Sequence, residues 1–259
     1  MKYICSSCGS ESLKWSGKCN SCNEWGTLEE VSEEVVSSNG KVGSDTKATY
    51  RPIVEYRGSS DSKTGSKNRL STGYSEFDRV LGGGLISGEV VLLSGEPGVG
   101  KSTILLQIAL NISSKEKVLY VCGEESPSQL ISRLDRLSGK KGKVDNIYVT
   151  NDVVVENIFN LVSEERFGLL IVDSIQSVTS LTSRGYPGSI SQVRASGALL
   201  TRLSKVTGIP SILVGQINKG GDIAGPKILE HIVDCVLYIE GGEFNQYRVL
   251  RGMKNRFGS

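Results

Sequence analysis

The stretch GEPGVGKST, residues 95 to 103, constrains this chain more than any other. It satisfies G-x4-G-K-[ST], with Gly95, Gly100, Lys101 and Ser102 in the fixed places. An apolar run, EVVLLS (Glu89–Ser94), precedes it, and STILLQIALNISS, with apolar residues at helical spacing, follows. Gly95, Glu96, Pro97, Gly98, Val99 and Gly100 then form a tight loop whose backbone N–H groups converge on an anion. A helix opening at Lys101, Ser102 and Thr103 adds its positive end. In that setting Lys101 reaches the β- and γ-phosphates of a nucleotide, and the Ser102 hydroxyl ligates Mg2+. The alternative is a glycine-rich turn that only joins strand to helix.

A phosphate loop of this kind needs a parallel sheet around it, and the chain supplies one. Val-, Ile- and Leu-rich runs at Lys117–Gly123, NIYVT, Gly168–Ser174, Ile209–Gln216, DCVLYIE and YRVLRGMKN read as strands. SPSQLISRLDRLS, NIFNLVSEERF and SQVRASGALLTRLSKVT read as helices between them. Strands apolar on both faces and alternating with helices predict an α/β fold, a mostly parallel sheet flanked by helices. The last two strands follow each other with no helix between, which predicts an antiparallel edge.

Phosphate chemistry also needs carboxylates at the carboxyl ends of those strands. Asp173 ends GLLIVDS and is the candidate for holding the metal's water shell, the alternative being a helix N-cap. Glu124 and Glu125 end the strand before, in CGEES. Glu124 is read as the base that activates water, with Glu125 assisting, against a solvated acidic turn. Gln216 ends a further strand before a glycine-rich loop, where its amide could sense a γ-phosphate, or merely close the strand.

The N-terminus carries a second constellation. Cys5, Cys8, Cys19 and Cys22 give C-x2-C-x10-C-x2-C, four thiolates that fill a tetrahedral Zn2+ site and leave no open position. A module of about 30 residues is held by its metal rather than by a core. A doubled redox dithiol is the alternative. Trp15 and Trp25, with Lys14 and Lys18, could stack on bases or could pack around the metal. Cys122 and Cys235 fall in apolar runs and read as buried thiols.

The 259 residues thus divide into a zinc finger (1–30), a Ser-, Gly- and Lys-rich linker (31–67), in which YRPIVEY could dock as a strand, and an ATPase domain (68–259). The formal charge of +2 excludes a polyanion partner attracted by global charge alone, so nucleic-acid contacts need local patches. Two glycine-rich loops offer them: Thr182–Arg194, with Arg184, Tyr186 and Arg194, and Asn218–Lys227, with Lys219 and Lys227. A solvated surface is the alternative for both. The chain shows no signal h-region and no run long enough to span a bilayer. The expectation is a cytoplasmic protein without a membrane partner.

LSTGYSEFDRVLGGGLISGEVVLLSGEPGVGKST resembles the opening of the RecA-like ATPase core. With the four-cysteine finger, GEES, VDSIQ, PGSISQVR, AGPKILEHIVD and the terminal KNRFG, the chain is similar to the bacterial RadA (Sms) family of DNA repair proteins over everything but the linker. The resemblance implies a RecA-like P-loop ATPase using ATP, Mg2+ and Zn2+. It implies a homohexameric ring stimulated by single-stranded DNA, and helicase-like branch migration on recombination intermediates. A recombinase or replicative helicase is an implied partner. Arg184 and Lys219 become DNA contacts, and Tyr186 a stacking platform. Lys254 and Arg256 of KNRFG become cations acting in trans on a neighbour's γ-phosphate, as an arginine finger does, the alternative being a cationic edge that discourages strand addition. Members of that family carry a Lon-protease-like domain after KNRFG, and the resemblance leaves in doubt what such a domain would add here, extra DNA binding and ring stabilisation included. A histidine is common among them in the strand that here reads VGQIN, and the role of Gln216 follows RecA-like logic. A nucleotide-switched ring that recruits partners without moving DNA is a different reading. A metabolic kinase is another, which the finger and KNRFG do not support.

Overall fold

The computed structural model describes residues 2–5, 10–31, 69–138, 144–216, 226–241 and 247–258. The expected linker lies, from residue 32 onward, outside the described residues, as do Cys8 and Lys219. The chain forms two compact units, residues 1–65 and 66–259.

The first unit is a three-stranded antiparallel ribbon of β1 (Lys2–Cys5), β2 (Glu11–Ser12) and β3 (Leu28–Val31), in the order β2-β1-β3. Its interior is Cys5, Cys19 and Leu28, with Tyr3 and Cys22 packed against them. Thiol groups supply most of this core, which is what a module of this size requires of a bound metal. The tryptophans do not join it: Trp15 is 63% exposed and Trp25 76%.

In the second unit, a seven-stranded sheet runs β10-β9-β4-β8-β7-β5-β6. Its strands are β4 (Val90–Gly95), β5 (Val118–Cys122), β6 (Ile147–Thr150), β7 (Leu169–Asp173), β8 (Ser211–Gln216), β9 (Cys235–Gly241) and β10 (Arg248–Asn255). Six are parallel, and β10 pairs antiparallel with β9 at the edge, as the missing helix between them predicts. Every residue of β4 and β5 is buried. Alternation divides them between two layers. Val91 and Leu93 face α2 (Lys101–Ser113) and α3 (Pro127–Ser138), while Val90 and Leu92 face α4 (Val155–Glu164) and α5 (Ile190–Thr207).

Two short helices are additional to the sequence reading. α1 (Ser75–Leu81) buries Phe77 and Leu81 and stops at Gly82, whose positive φ of 83° suits a glycine cap. Asp78 anchors its entry by accepting from Thr72 N and from the Ser71 and Thr72 hydroxyls. α6 (Pro226–Leu229) precedes β9. Lys227 therefore stands on a short helix and Arg194 in the second turn of α5, not on the loops assigned to them. Cys122 and Cys235 are buried, and burial pushes both thiols up to about 12, as inert core cysteines require. Among the described residues, no helix is long and apolar enough to cross a membrane.

Candidate nucleotide site

The carboxyl ends of β4, β5, β7 and β8 meet at one end of the sheet. Gly95 pairs with Gln216, and Cys122 with Asp173. A cleft of about 610 Å³ opens there, lined by Gly98, Gly100–Thr103, both glutamates, Asp173 and Gln216. The sequence-predicted nucleotide residues are thus brought together from four strand ends. Gly95 has its own packing reason to be glycine: a Cβ would lie 2.5 Å from the Ile239 carbonyl oxygen, inside the β4–β9 pairing. Glu96 and Pro97 are exposed on the loop, Val99 is buried beneath it, and Gly100 caps α2 with φ 104°.

Lys101 is only 6% exposed. Its ammonium donates to the Gly95 and Glu96 carbonyl oxygens at 2.7 and 2.8 Å, inside the loop it would serve. Burial lowers its pKa, and the charges of Asp173 and Glu124 oppose that. A cation desolvated among carbonyls and facing carboxylates is poised for an anion.

Each carboxylate has a distinct holder. Asp173 accepts from the buried Tyr120 hydroxyl at 2.7 Å. Glu125 forms an ion pair with Arg133 of α3. Glu124 accepts from the Gln216 amide at 2.8 and 2.6 Å on its two oxygens, and also from Ser174. Gln216 is tied back by Gln176, whose side chain donates to its carbonyl oxygen at 3.1 Å. Tyr120, Arg133, Arg136, Ser174 and Arg248 were not singled out in the sequence. Arg133 and Arg136 line the cleft from α3, and the Arg248 guanidinium carbon lies 3.6 Å from where a Cβ of Gly100 would stand. The signal for α3 was its helical phase, beginning two residues beyond the paired glutamates, with Arg133 in its second turn.

Lys254 and Arg256 lie elsewhere. Lys254 pairs with Val236 and Asn255 with Cys235, which is level with Val91. Asn255 thus lies about 13 Å along the strands from the level of Gly95, toward the amino ends of the parallel strands and away from the cleft. Lys254 donates to the Glu230 and Val233 carbonyl oxygens at 2.6 and 2.7 Å. Arg256 stands 3.6 Å from the buried Asp234 carboxylate, which Lys205 also contacts. Burial and the neighbouring Arg256 lower the Lys254 pKa. Lys254 thus faces the backbone of residues 230–233, and Arg256 the carboxylate of Asp234.

Of the candidate DNA residues, Arg184, Tyr186 and Arg194 are exposed, Tyr186 by 82%. Buried Gln192 braces the loop of Arg184 and Tyr186 by donating to the Ser180 and Ser183 carbonyl oxygens and accepting from Ser180 N. The loop holding Lys219 lies outside the described residues, and Lys227 has a described backbone only.

In the ribbon, the sulfurs of Cys5, Cys19 and Cys22 lie within 4.8 Å of one another, with Cys5 and Cys22 3.6 Å apart. Thiolates around a tetrahedral Zn2+ at 2.3 Å stand about 3.8 Å apart, so the donor set fits.

Comparison with known proteins agrees with this geometry. Residues 66–222 match the AAA domain family, and residues 3–30 match the rubredoxin metal binding domain. The chain is similar to DNA repair protein RadA of Aquifex aeolicus, 43% identical over 99% of this chain and 55% of the relative. It is 42% identical to DNA repair protein RadA of Bacillus subtilis over its full length and 56% of the relative. For that of Escherichia coli the identity is 38%, over 99% of this chain and 55% of the relative. The chain thus spans just over half the length of these curated relatives. The cleft is that of an ATP-binding domain, and the cysteine group is that of a zinc ribbon.

Proposed function

The chain belongs to the AAA domain family, and from that premise we propose that it is a DNA-dependent ATPase of DNA repair and homologous recombination, a ring-forming motor with helicase-like, branch-migrating movement on DNA. The observation that carries the reading is the convergence of Lys101, Asp173, Glu124 and Gln216 on one cleft. ATP draws Lys101 off the loop carbonyls onto its β- and γ-phosphates. Ser102 and Asp173 present hard oxygen ligands on the same wall and would hold Mg2+, which when bound neutralises charge on the phosphate oxygens. Glu124 orients the attacking water and takes its proton, while Arg133 keeps Glu125 beside it. The amide of Gln216 leaves Glu124 for the γ-phosphate and carries that change into the loop it opens.

Lys254 and Arg256 stand toward the amino ends of the parallel strands, away from the cleft of their own chain. We assign them to a neighbour's nucleotide in a homohexameric ring, stabilising transition-state charge in trans. Arg184, Tyr186, Arg194, Lys219 and Lys227 then meet single-stranded DNA by phosphate contact and base stacking. A recombinase or replicative helicase is the partner class such a motor serves. Steady-state ATP turnover measured with and without single-stranded DNA tests this. A steep rise with DNA supports the motor, whereas turnover indifferent to DNA leaves only a nucleotide-switched ring.

A further inference from the structure

We propose that Ser174 is a positioning residue for hydrolysis, fixing the rotamer of Glu124 so that one carboxylate oxygen stays aimed at the attacking water. The inference rests on the assignment of Glu124 as the base. Glu124 is exposed at the lip of the cleft, and a glutamate there has three free torsions. Ser174, by contrast, is completely buried, and its hydroxyl donates to Glu124 Oε1.

The local chain holds Ser174 rigidly. The Ser177 hydroxyl donates to the Ser174 carbonyl oxygen at 2.7 Å and accepts from Ser174 N at 3.3 Å, closing a turn directly after Asp173. That turn is pressed against Gly123, where a Cβ would lie 1.7 Å from Ser177 Oγ. Gly123 N also donates to the Asp173 carbonyl oxygen at 2.8 Å. The turn after β7 and the residue before Glu124 are therefore locked together, and Ser174 is set against Glu124 by backbone. Gln216 touches both oxygens of Glu124. When its amide turns to a γ-phosphate, Ser174 remains on Oε1 and leaves Oε2 for the water.

Single-turnover ATP cleavage by the full chain, with Mg2+ and single-stranded DNA, tests this in wild type, Ser174→Ala, Glu124→Gln and the double variant. Ser174→Ala is expected to lower kcat about five- to tenfold, the loss of one hydrogen bond, with KM and binding of a fluorescent ATP analogue unchanged. In the Glu124→Gln background it should change the residual rate by less than twofold. An equal fold-loss in both backgrounds, a change confined to KM, or no loss at all would overturn the proposal. If Ser174→Ala does not fold, Ser174→Cys, which keeps the shape and weakens the donor, runs the same cycle. Wild-type turnover in Glu124→Gln would instead remove the base assignment itself.

Discussion

Substituting Gly123 by alanine probes the junction on which the site depends. The new Cβ would stand 1.7 Å from Ser177 Oγ and 2.5 Å from Ser177 Cβ. Rotating the serine hydroxyl away cannot relieve the second contact, so the turn from Ser174 to Ser177 must move. Overpacking of this kind costs about 1–3 kcal/mol. For a domain of this size, each kcal/mol lowers the unfolding midpoint by about 2–4 °C, giving a fall of about 2–12 °C. Displacing the turn also carries Ser174 away from Glu124, so turnover should fall at least as far as in Ser174→Ala. Differential scanning calorimetry and ATP turnover on the same preparation give both numbers. The double variant Gly123→Ala/Ser177→Gly removes the clash and leaves only the Asp173 carbonyl oxygen at 3.5 Å, an ordinary contact. Because Ser177→Gly also removes the hydroxyl that closes the turn, the comparison is with Ser177→Gly alone, against which the added Gly123→Ala should lower the midpoint much less than it does in wild type. A Gly123→Ala variant with unchanged midpoint and turnover would refute the locked junction, and an equal fall on adding Gly123→Ala to Ser177→Gly would refute the steric cause.

Other consequences reach different parts of the chain. Lys254→Ala should leave ATP-analogue binding nearly intact and lower DNA-stimulated turnover at least about tenfold, since it removes a cation assigned to the neighbour's transition state; lost binding with unchanged assembly would place Lys254 in its own chain's site. Glu89 is fully buried, with one oxygen unpartnered among the described residues, and burial raises its pKa to about 7 from 4.5. Its folded pKa exceeds its unfolded one, so stability is fully present below about pH 4.5 and declines by about 3 kcal/mol as pH rises through 7. Denaturant titrations across that window should show Glu89→Gln with a flatter pH dependence than wild type, and parallel curves would dismiss the effect. Chelation of zinc should unfold the ribbon, whose interior is largely cysteine, with loss of its near-ultraviolet dichroism. A ribbon spectrum indifferent to chelator and to Cys19→Ser would contradict a structural metal.

The sheet was legible because its signal is simple: strands buried on both faces are apolar throughout, and a helix follows each parallel one except β9. The phosphate loop, Asp173 and the paired glutamates were legible because a parallel fold sends strand ends to one edge. α1 was not, because a seven-residue helix held by Asp78 and Gly82 has too few turns for a periodic pattern. The partners of the carboxylates were also hidden. Ser174 follows a predicted strand and Arg133 sits in a predicted helix, but which glutamate each one meets depends on how β5, β7 and α3 pack. The tail shows the same limit. The sequence puts Lys254 and Arg256 together at the end of the last strand, whereas finding Asp234 beside Arg256 required the register of β10 on β9.

The central claim is an ATP-driven motor whose active site is completed between subunits around DNA. Electron microscopy of the protein with a non-hydrolysable ATP analogue and single-stranded DNA tests it most directly. The account predicts six-membered rings with DNA in the pore and Lys254 and Arg256 of each subunit beside the nucleotide of the next. A monomer without DNA under those conditions would contradict it.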